Sequence, residues 1–252
     1  MALTKRIGAS VAATTFILVL TLAAPVLAYH AENVRDAGRI VGIVKYRGPA
    51  PTQREVEISK DREVCGRRPL YDESLVVGKG SGLANAVVSI ANIAAGEPLK
   101  PGRDLKFDQR GCEYRPRVLA FPAGSTIDII NSDGILHNIH TESRINPTVD
   151  MAQPGFKKII KLAVAKPEAI KVTCDAHNWM VGWWYVTDNP YYAVTDRSGG
   201  FSISDVPPGT YSLRVWQETL GTVSQTVMVK PGATTTTVFT MTAPKAPGMP
   251  HD

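Results

Sequence analysis

The sequence lacks any stretch that repeats its apolar residues every three to four positions over a helix-sized window. A helix-rich fold is therefore excluded. It also lacks the short motifs of several hydrolases: there is no G-x-S-x-G nucleophile elbow and no H-E-x-x-H zinc-protease helix. The run GKGSG at 78–82 lacks G-x-G-x-x-G spacing and a following helix, so it reads as a flexible turn and not as a phosphate cradle. Charge of one sign is missing as well. Lys and Arg total 28 against 23 Asp and Glu, and the basic residues scatter, apart from Lys157, Lys158 and Lys161. That local cluster reads as a solvated face, and nothing resembles a nucleic-acid footprint. Metal-binding side chains are scarce, with 3 cysteines and 5 histidines. Beyond residue 28 no segment is apolar enough to span a bilayer.

Residues 1–28 read as a secretory signal. Lys5 and Arg6 precede an apolar run from Val11 to Ala24, and Val26-Leu27-Ala28 supplies a cleavage site after Ala28. A retained membrane anchor is the alternative, but the run is short and ends at Pro25. Removing Lys5 and Arg6 lowers the net charge from +5 to +3, because the segment holds no acid. Export implies an oxidising compartment, periplasmic or extracellular. There the odd number of cysteines leaves one thiol over, and a free thiol is a liability unless buried or ligated.

What is present is a series of short β-branched runs punctuated by Gly and Pro. They are GRIVGIVKY (38–46), ANAVVSIANI (84–93), RVLAF (117–121), STIDIIN (125–131), AIKVTC (169–174), GWWYVTD (182–188), GGFSISDV (199–206), TYSLRVW (210–216), SQTVMVK (224–230) and TTTTVFTM (234–241). Alternation puts Ile127 and Ile129 on one face, and Tyr211, Leu213 and Val215 on another. This pattern predicts an all-β chain of antiparallel sandwiches. The Pro-rich tail 243–252 reads as disordered.

The stretch AVTDRSGGFSISDVPPGTYSLRVW has turns at Asp196–Gly200 and at Pro207-Pro208-Gly209. It resembles the second half of a carboxypeptidase regulatory-like domain, a small transthyretin-type sandwich. Gly42–Tyr46 and Ala84–Ile90 resemble the first half more weakly. The reading adopted is a split sandwich, with an N-terminal β region at 29–99 and a second half at 189–242, around an inserted domain at 100–188. The alternative is that the N-terminal strands belong to the middle domain. No peptidase activity is implied, since no catalytic domain is attached.

The middle segment holds Cys174-x-x-His177-x-x-Met180 at the end of the AIKVT strand, and His137 upstream in NSDGILHNIH. Two imidazoles, one thiolate and a weak axial thioether are the donors of a blue-copper site. With RVLAFPAGSTIDIINSD, His137-Asn138 and CDAHNWMVG, residues 100–188 resemble the cupredoxins of the plastocyanin and amicyanin group. The resemblance implies a Greek-key sandwich and one type 1 copper held by His137, Cys174 and His177 with Met180 axial. It also implies that Asn138 braces the Cys loop. Each residue has a plainer alternative: a buried core thiol, a packing Met, a surface His. His140 is a rival to His137 but fits the family pattern less well. Met151 reads as packing. The loop lacks a Pro between Cys and His, and Asp175 in its place would depress the potential. Trp179, Trp183 and Trp184 are either packing or an apolar docking surface around an exposed His177 edge. Cys65 and Cys112 are read as a disulfide tying the N-terminal region to the middle domain.

The resulting expectation is an exported carrier of single electrons between redox proteins such as cytochromes or dehydrogenases, with no substrate turnover of its own. The absence of H-x-H pairs excludes a multicopper oxidase, and one cysteine in the loop excludes a binuclear centre. A copper store or chaperone, and an extracellular adhesion module without redox function, are the alternatives.

Overall fold

The computed structural model describes residues 29–243. The expected signal segment and all but the first residue of the expected disordered tail lie outside them. The chain is all-β, as its periodicity predicts, and every apolar run named above contributes a strand. The sheets are mixed and not antiparallel throughout: Val118–Pro122 runs parallel to Val181–Thr187, Leu105–Gln109 to Ser125–Asn131, and Gly38–Arg47 to Thr234–Thr242, because strands distant in the chain are paired and no hairpin sets their direction. Among the described residues no helix is long and apolar enough to cross a membrane.

Four main sheets make two sandwiches. The first pairs a five-stranded sheet with a four-stranded one. The larger runs, in spatial order, Asp150–Gln153, His137–Glu142, Glu168–Thr173, Val181–Thr187 and Val118–Pro122. The smaller runs Ile159–Val164, Ser125–Asn131, Leu105–Gln109 and Tyr114–Arg115. Period-2 alternation buries one face of each strand: Ile127 and Ile129 are fully buried while Thr126 is exposed. They meet Phe107, Phe121, Ile139, Val172 and Trp184 in one core. Asn131 closes the turn ahead of His137, donating to the Ile135 carbonyl at 2.8 Å and the Gln153 carbonyl at 3.1 Å.

The second sandwich draws strands from both ends of the chain. Its four-stranded sheet runs Tyr192–Val194, Val87–Ile90, Gly209–Gln217 and Gly221–Val229. Its three-stranded sheet runs Gly200–Val206, Gly38–Arg47 and Thr234–Thr242. Leu213, Val215, Ile40, Val44 and Phe239 fill its separate core. The Asp196 carboxylate forms the first turn by accepting from the backbone of Ser198 at 2.7 Å and Gly200 at 3.0 Å. Gly199 there has φ 78°, a conformation natural to glycine.

The segment between Gly38–Arg47 and Val87–Ile90 does not stay with its own sandwich. Cys65 and Leu70 are buried in the first core, and Val56, Ile58 and Val64 pack against it. The Cys65–Cys112 disulfide fixes this strap across a sequence separation of 47. Removing such a bond from a small exported domain costs about 2–5 kcal/mol.

The two sandwiches meet through an ion pair. Arg117 donates two hydrogen bonds to Glu218, at 2.6 and 2.8 Å, with side chains only 11% and 7% exposed. Trp183 donates its indole N–H to the same carboxylate at 2.9 Å and packs on Trp216 at 5.1 Å between ring centroids. Breaking a buried pair strands its partner's charge. Glu218→Ala therefore lowers unfolding stability by about 3–5 kcal/mol in chemical denaturation, whereas an exposed pair such as Lys171–Glu142 contributes about 0–1 kcal/mol.

Glu168 holds the 143–146 loop, accepting from Ser143 Oγ and from the backbone N–H groups of Arg144, Ile145 and Asn146. Burial acts to raise its pKa, but these hydrogen bonds outweigh it and bring it down to about 2. A carboxylate depressed on folding adds stability above its unfolded pKa, and that stability drains away as pH falls through the folded value. The stability gap between the parent and Glu168→Gln is thus full above pH ~4.5 and closes toward pH ~2.

Candidate metal centre

The five-stranded sheet places the potential ligands at one end of the first sandwich. His137 opens its strand immediately after the Asn131 turn, and Cys174 directly follows the neighbouring strand Glu168–Thr173. Met180 closes the connecting loop, its N–H bonded to the His177 carbonyl at 2.9 Å. His137 and His177 are fully buried, Cys174 is 2% exposed and Met180 1%. The nearest donor atoms of His137, Cys174 and His177 lie within 4.8 Å of one another. The two Nδ1 atoms face each other at 3.1 Å, and Cys174 Sγ lies 3.8 Å from His177 Nδ1.

The outer edge of each imidazole decides what this cluster can hold. His137 Nε2 lies 3.0 Å from Asp133 Oδ2, and His177 Nε2 lies 2.9 Å from Asp61 Oδ2. A carboxylate only accepts, so each Nε2 carries hydrogen. Both Nδ1 atoms then turn lone pairs toward one buried point that also holds sulfur. Such a point requires a shared proton or a metal cation. Burial pushes the Cys174 thiol up. Without a metal, a proton shared between Nδ1 and sulfur supplies hydrogen bonds from His137 and His177 to Cys174; with the backbone N–H bonds at the site they outweigh burial and bring the thiol down to about 6. A metal cation would take the place of that shared proton. A thiolate and two neutral imidazoles, each backed by a carboxylate, form a fitting donor set for a soft or borderline transition metal.

Both carboxylates are themselves held. Asp133 accepts from the backbone N–H of Gly111 at 2.6 Å and of Cys112 at 2.8 Å. Burial raises its pKa, and the hydrogen bond from His137 together with these two leaves it lowered. His137 is shifted the other way: burial lowers it, but Asp133 and Cys174 leave it raised. Asp61 comes from the strap, 116 residues before His177. It sits at φ 46°, ψ 44°, and its carbonyl accepts from Val64 and Cys65 at the start of the short helix Arg62–Cys65. Four residues on, Cys65 is bonded to Cys112, so one covalent link positions both carboxylates.

Asn138 spans the ligand loop. Its amide donates to Asp150 Oδ1 at 2.8 Å, and its oxygen lies 3.5 Å from the Asp175 N–H. Tyr114, fully buried, reaches the carbonyls of Asn138 at 2.6 Å and Thr173 at 2.9 Å, joining the two ligand-bearing strands. His140 is outside the cluster and pairs with Asp175 at 3.0 Å. Met151 packs against the core from a partly buried position.

The His177 edge is not an exposed surface. Asp61 covers Nε2, and Trp179 packs on the ring at 5.1 Å with its indole N–H bonded to the Cys112 carbonyl at 3.2 Å. Trp184 is core, 1% exposed, and Trp183 is at the junction with the second sandwich. An apolar docking ring around His177 is therefore absent; the strap occupies its place. Asp61, Asp133 and Tyr114 escape a reading of the sequence. Asp133 has a local clue, lying four residues before His137, but nothing near Asp61 or Tyr114 points to this site.

The carboxypeptidase regulatory-like domain family matches residues 185–242. No curated protein matches the chain. Among solved structures, a Cu-containing nitrite reductase from Thermus scotoductus is 19% identical over 39% of this chain, with a TM-score of 0.32. This chain covers 25% of that enzyme's length. Amicyanin from Paracoccus versutus is 15% identical over 35% of this chain and 85% of its own, with a TM-score of 0.31. A purple cupredoxin from Nitrosopumilus maritimus is 20% identical over 33% of this chain and 100% of its own, with a TM-score of 0.29. Likenesses this distant carry no weight for function, which rests on the side chains.

If Asp61 is what closes the site, Asp61→Ala exposes the His177 ring. Diethyl pyrocarbonate then modifies His177 in the metal-free variant but not in the parent, as read by peptide mass spectrometry. His137, behind Asp133, stays protected in both. Equal protection of His177 in the two proteins would show that the remaining strap suffices.

Proposed function

We propose that this protein is an exported single-electron carrier with one type 1 copper, held by His137, Cys174 and His177 with Met180 as the axial ligand. The observation that carries the reading is the convergence of two Nδ1 atoms and the Cys174 sulfur on one buried point, with each Nε2 held by a carboxylate. A copper ion bound there would supply a Cu(I)/Cu(II) couple, with the soft sulfur ligands favouring the reduced state and the nitrogens keeping the oxidised state accessible.

The chain's own residues provide what a carrier needs. Asp133 and Asp61 fix both imidazoles in the tautomer that leaves Nδ1 unprotonated. Tyr114 and Asn138 hold the two ligand strands and the loop in register without help from a metal. A donor set already in place changes little between oxidation states, which keeps reorganisation small. The enclosure of all four side chains supports a retained ion over one that is passed on, as a store or chaperone would require. It also supports electron transfer over turnover at the metal, because a catalytic centre keeps an open coordination position. The Cys65–Cys112 disulfide supports an oxidising compartment, periplasmic or extracellular. The partners in this reading are redox proteins, cytochromes or dehydrogenases among them.

Titration with Cu(II) is expected to end at one equivalent per chain and to give intense visible thiolate-to-copper absorption. Cys174→Ala abolishes the colour. Met180→Gln keeps it and shifts the reduction potential, since the axial ligand tunes the couple. A protein that stays colourless and binds no copper would overturn the reading.

A further inference from the structure

Beside the metal centre lies a cleft of about 490 Å³ between the strap and the ligand loop. That volume lies within the range of ligand-binding clefts. One wall is a short ladder in the strap: Glu55 bridges Tyr71, Val56 N–H donates to the Leu70 carbonyl at 2.8 Å, and Asp72 N–H donates to the Arg54 carbonyl at 2.9 Å. The facing wall is Asn178–Val181, which includes Trp179 and Met180.

The charge of this cleft opposes that of the chain. Five carboxylates line it, those of Glu55, Glu57, Asp72, Glu73 and Glu113, against the guanidinium groups of Arg54 and Arg117. Arg54 is committed to Asp72, and Arg117 to Glu218 outside the cleft. Arg68 and Arg115 reach in to Glu113, and Arg115 also to Glu73. Glu55 and Glu57 are left as exposed carboxylates with no ion pair among the described residues. Tyr71 is 41% exposed and Trp179 is partly exposed, so the anionic rim surrounds aromatic faces. Carboxylates around aromatic rings attract ammonium and guanidinium groups, both by charge and by cation–π contact.

The position of the cleft gives this chemistry a use. The direct edge of His177 is closed by Asp61, while the Trp179 ring packs 5.1 Å from the His177 ring and lines the cleft. A group seated against Trp179 is thus one aromatic ring away from a metal ligand. We propose that this cleft is the docking site for the redox partner, and that the partner presents a basic face whose Lys or Arg side chains seat between Glu55, Glu57 and Trp179. The inference rests on the electron-carrier reading and names the partner's chemistry and its point of contact.

The test uses the copper-loaded full chain and two one-electron probes of opposite charge in stopped flow, hexaammineruthenium(II), which reduces the Cu(II) form, and hexacyanoferrate(III), which oxidises the Cu(I) form. At low ionic strength, the double variant Glu55→Gln/Glu57→Gln slows reaction with the ruthenium cation by about tenfold and weakens its salt dependence. The control Glu32→Gln/Asp205→Asn removes the same charge from residues that do not line the cleft and leaves the cation rate within about twofold of the parent, because local charge at the contact steers the probe. Trp179→Leu slows both probes, with the visible spectrum unchanged. An equal loss in the two double variants would overturn the proposal, since only net charge would then be at work. So would a preference for hexacyanoferrate that is lost in Lys157→Glu/Lys158→Glu, which would place docking on the basic loop for an acidic partner. A normal copper spectrum in the parent and variants keeps either result separate from failure of the copper reading itself.

Discussion

The site depends on one constraint: each imidazole is gripped at both ends. A carboxylate holds the proton on Nε2, and this forces the Nδ1 lone pair inward. Two inward Nδ1 atoms 3.1 Å apart, beside a buried sulfur 3.8 Å from one of them, form an arrangement that a core would not tolerate for packing alone. Here it is sustained by backbone and covalent structure on the outer side. Gly111 and Cys112 hold Asp133, the strap holds Asp61, and the Cys65–Cys112 bond ties the two supports together. The disulfide thus acts on the orientation of both imidazoles as well as on the entropy of the unfolded chain.

This support explains why the second sandwich and the first are threaded through each other. The strap that delivers Asp61 begins and ends in strands of the second sandwich, Gly38–Arg47 and Val87–Ile90. A floating strap would place a carboxylate poorly. Anchored in a core of its own at both ends, and stapled midway, it can cover His177. The Arg117–Glu218 pair with Trp183 and Trp216 then restrains the sandwiches against each other close to the ligand loop. In this arrangement the accessory sandwich serves as the frame for the lid of the centre.

The elements that follow alternation are legible from the sequence, because burial of one strand face is a local rule. Ile127 and Ile129, and Tyr211, Leu213 and Val215, are buried as their spacing predicts. The strands His137–Glu142, Asp150–Gln153 and Leu105–Gln109 are less legible, since polar residues there serve the site or the opposing sheet. The tryptophans show the limit well. Trp183 and Trp184 are chain neighbours on opposite faces of one strand, so one enters the first core and the other the junction. Composition cannot distinguish them; the second sandwich does.

By itself the sequence determined an all-β chain, the regulatory-like segment near the C-terminus, and a set of donors spaced so that a strand end and a loop could present them together. These are matters of period and of short-range spacing, which a chain carries locally. Only the tertiary structure decided that His177 is closed, that a carboxylate 116 residues away stands on its outer edge, and that the open ground beside the centre is an acidic cleft. Those features arise where segments distant in the chain are brought within a few ångströms. The contacts between them follow from the topology of two interleaved sandwiches, which no local pattern encodes.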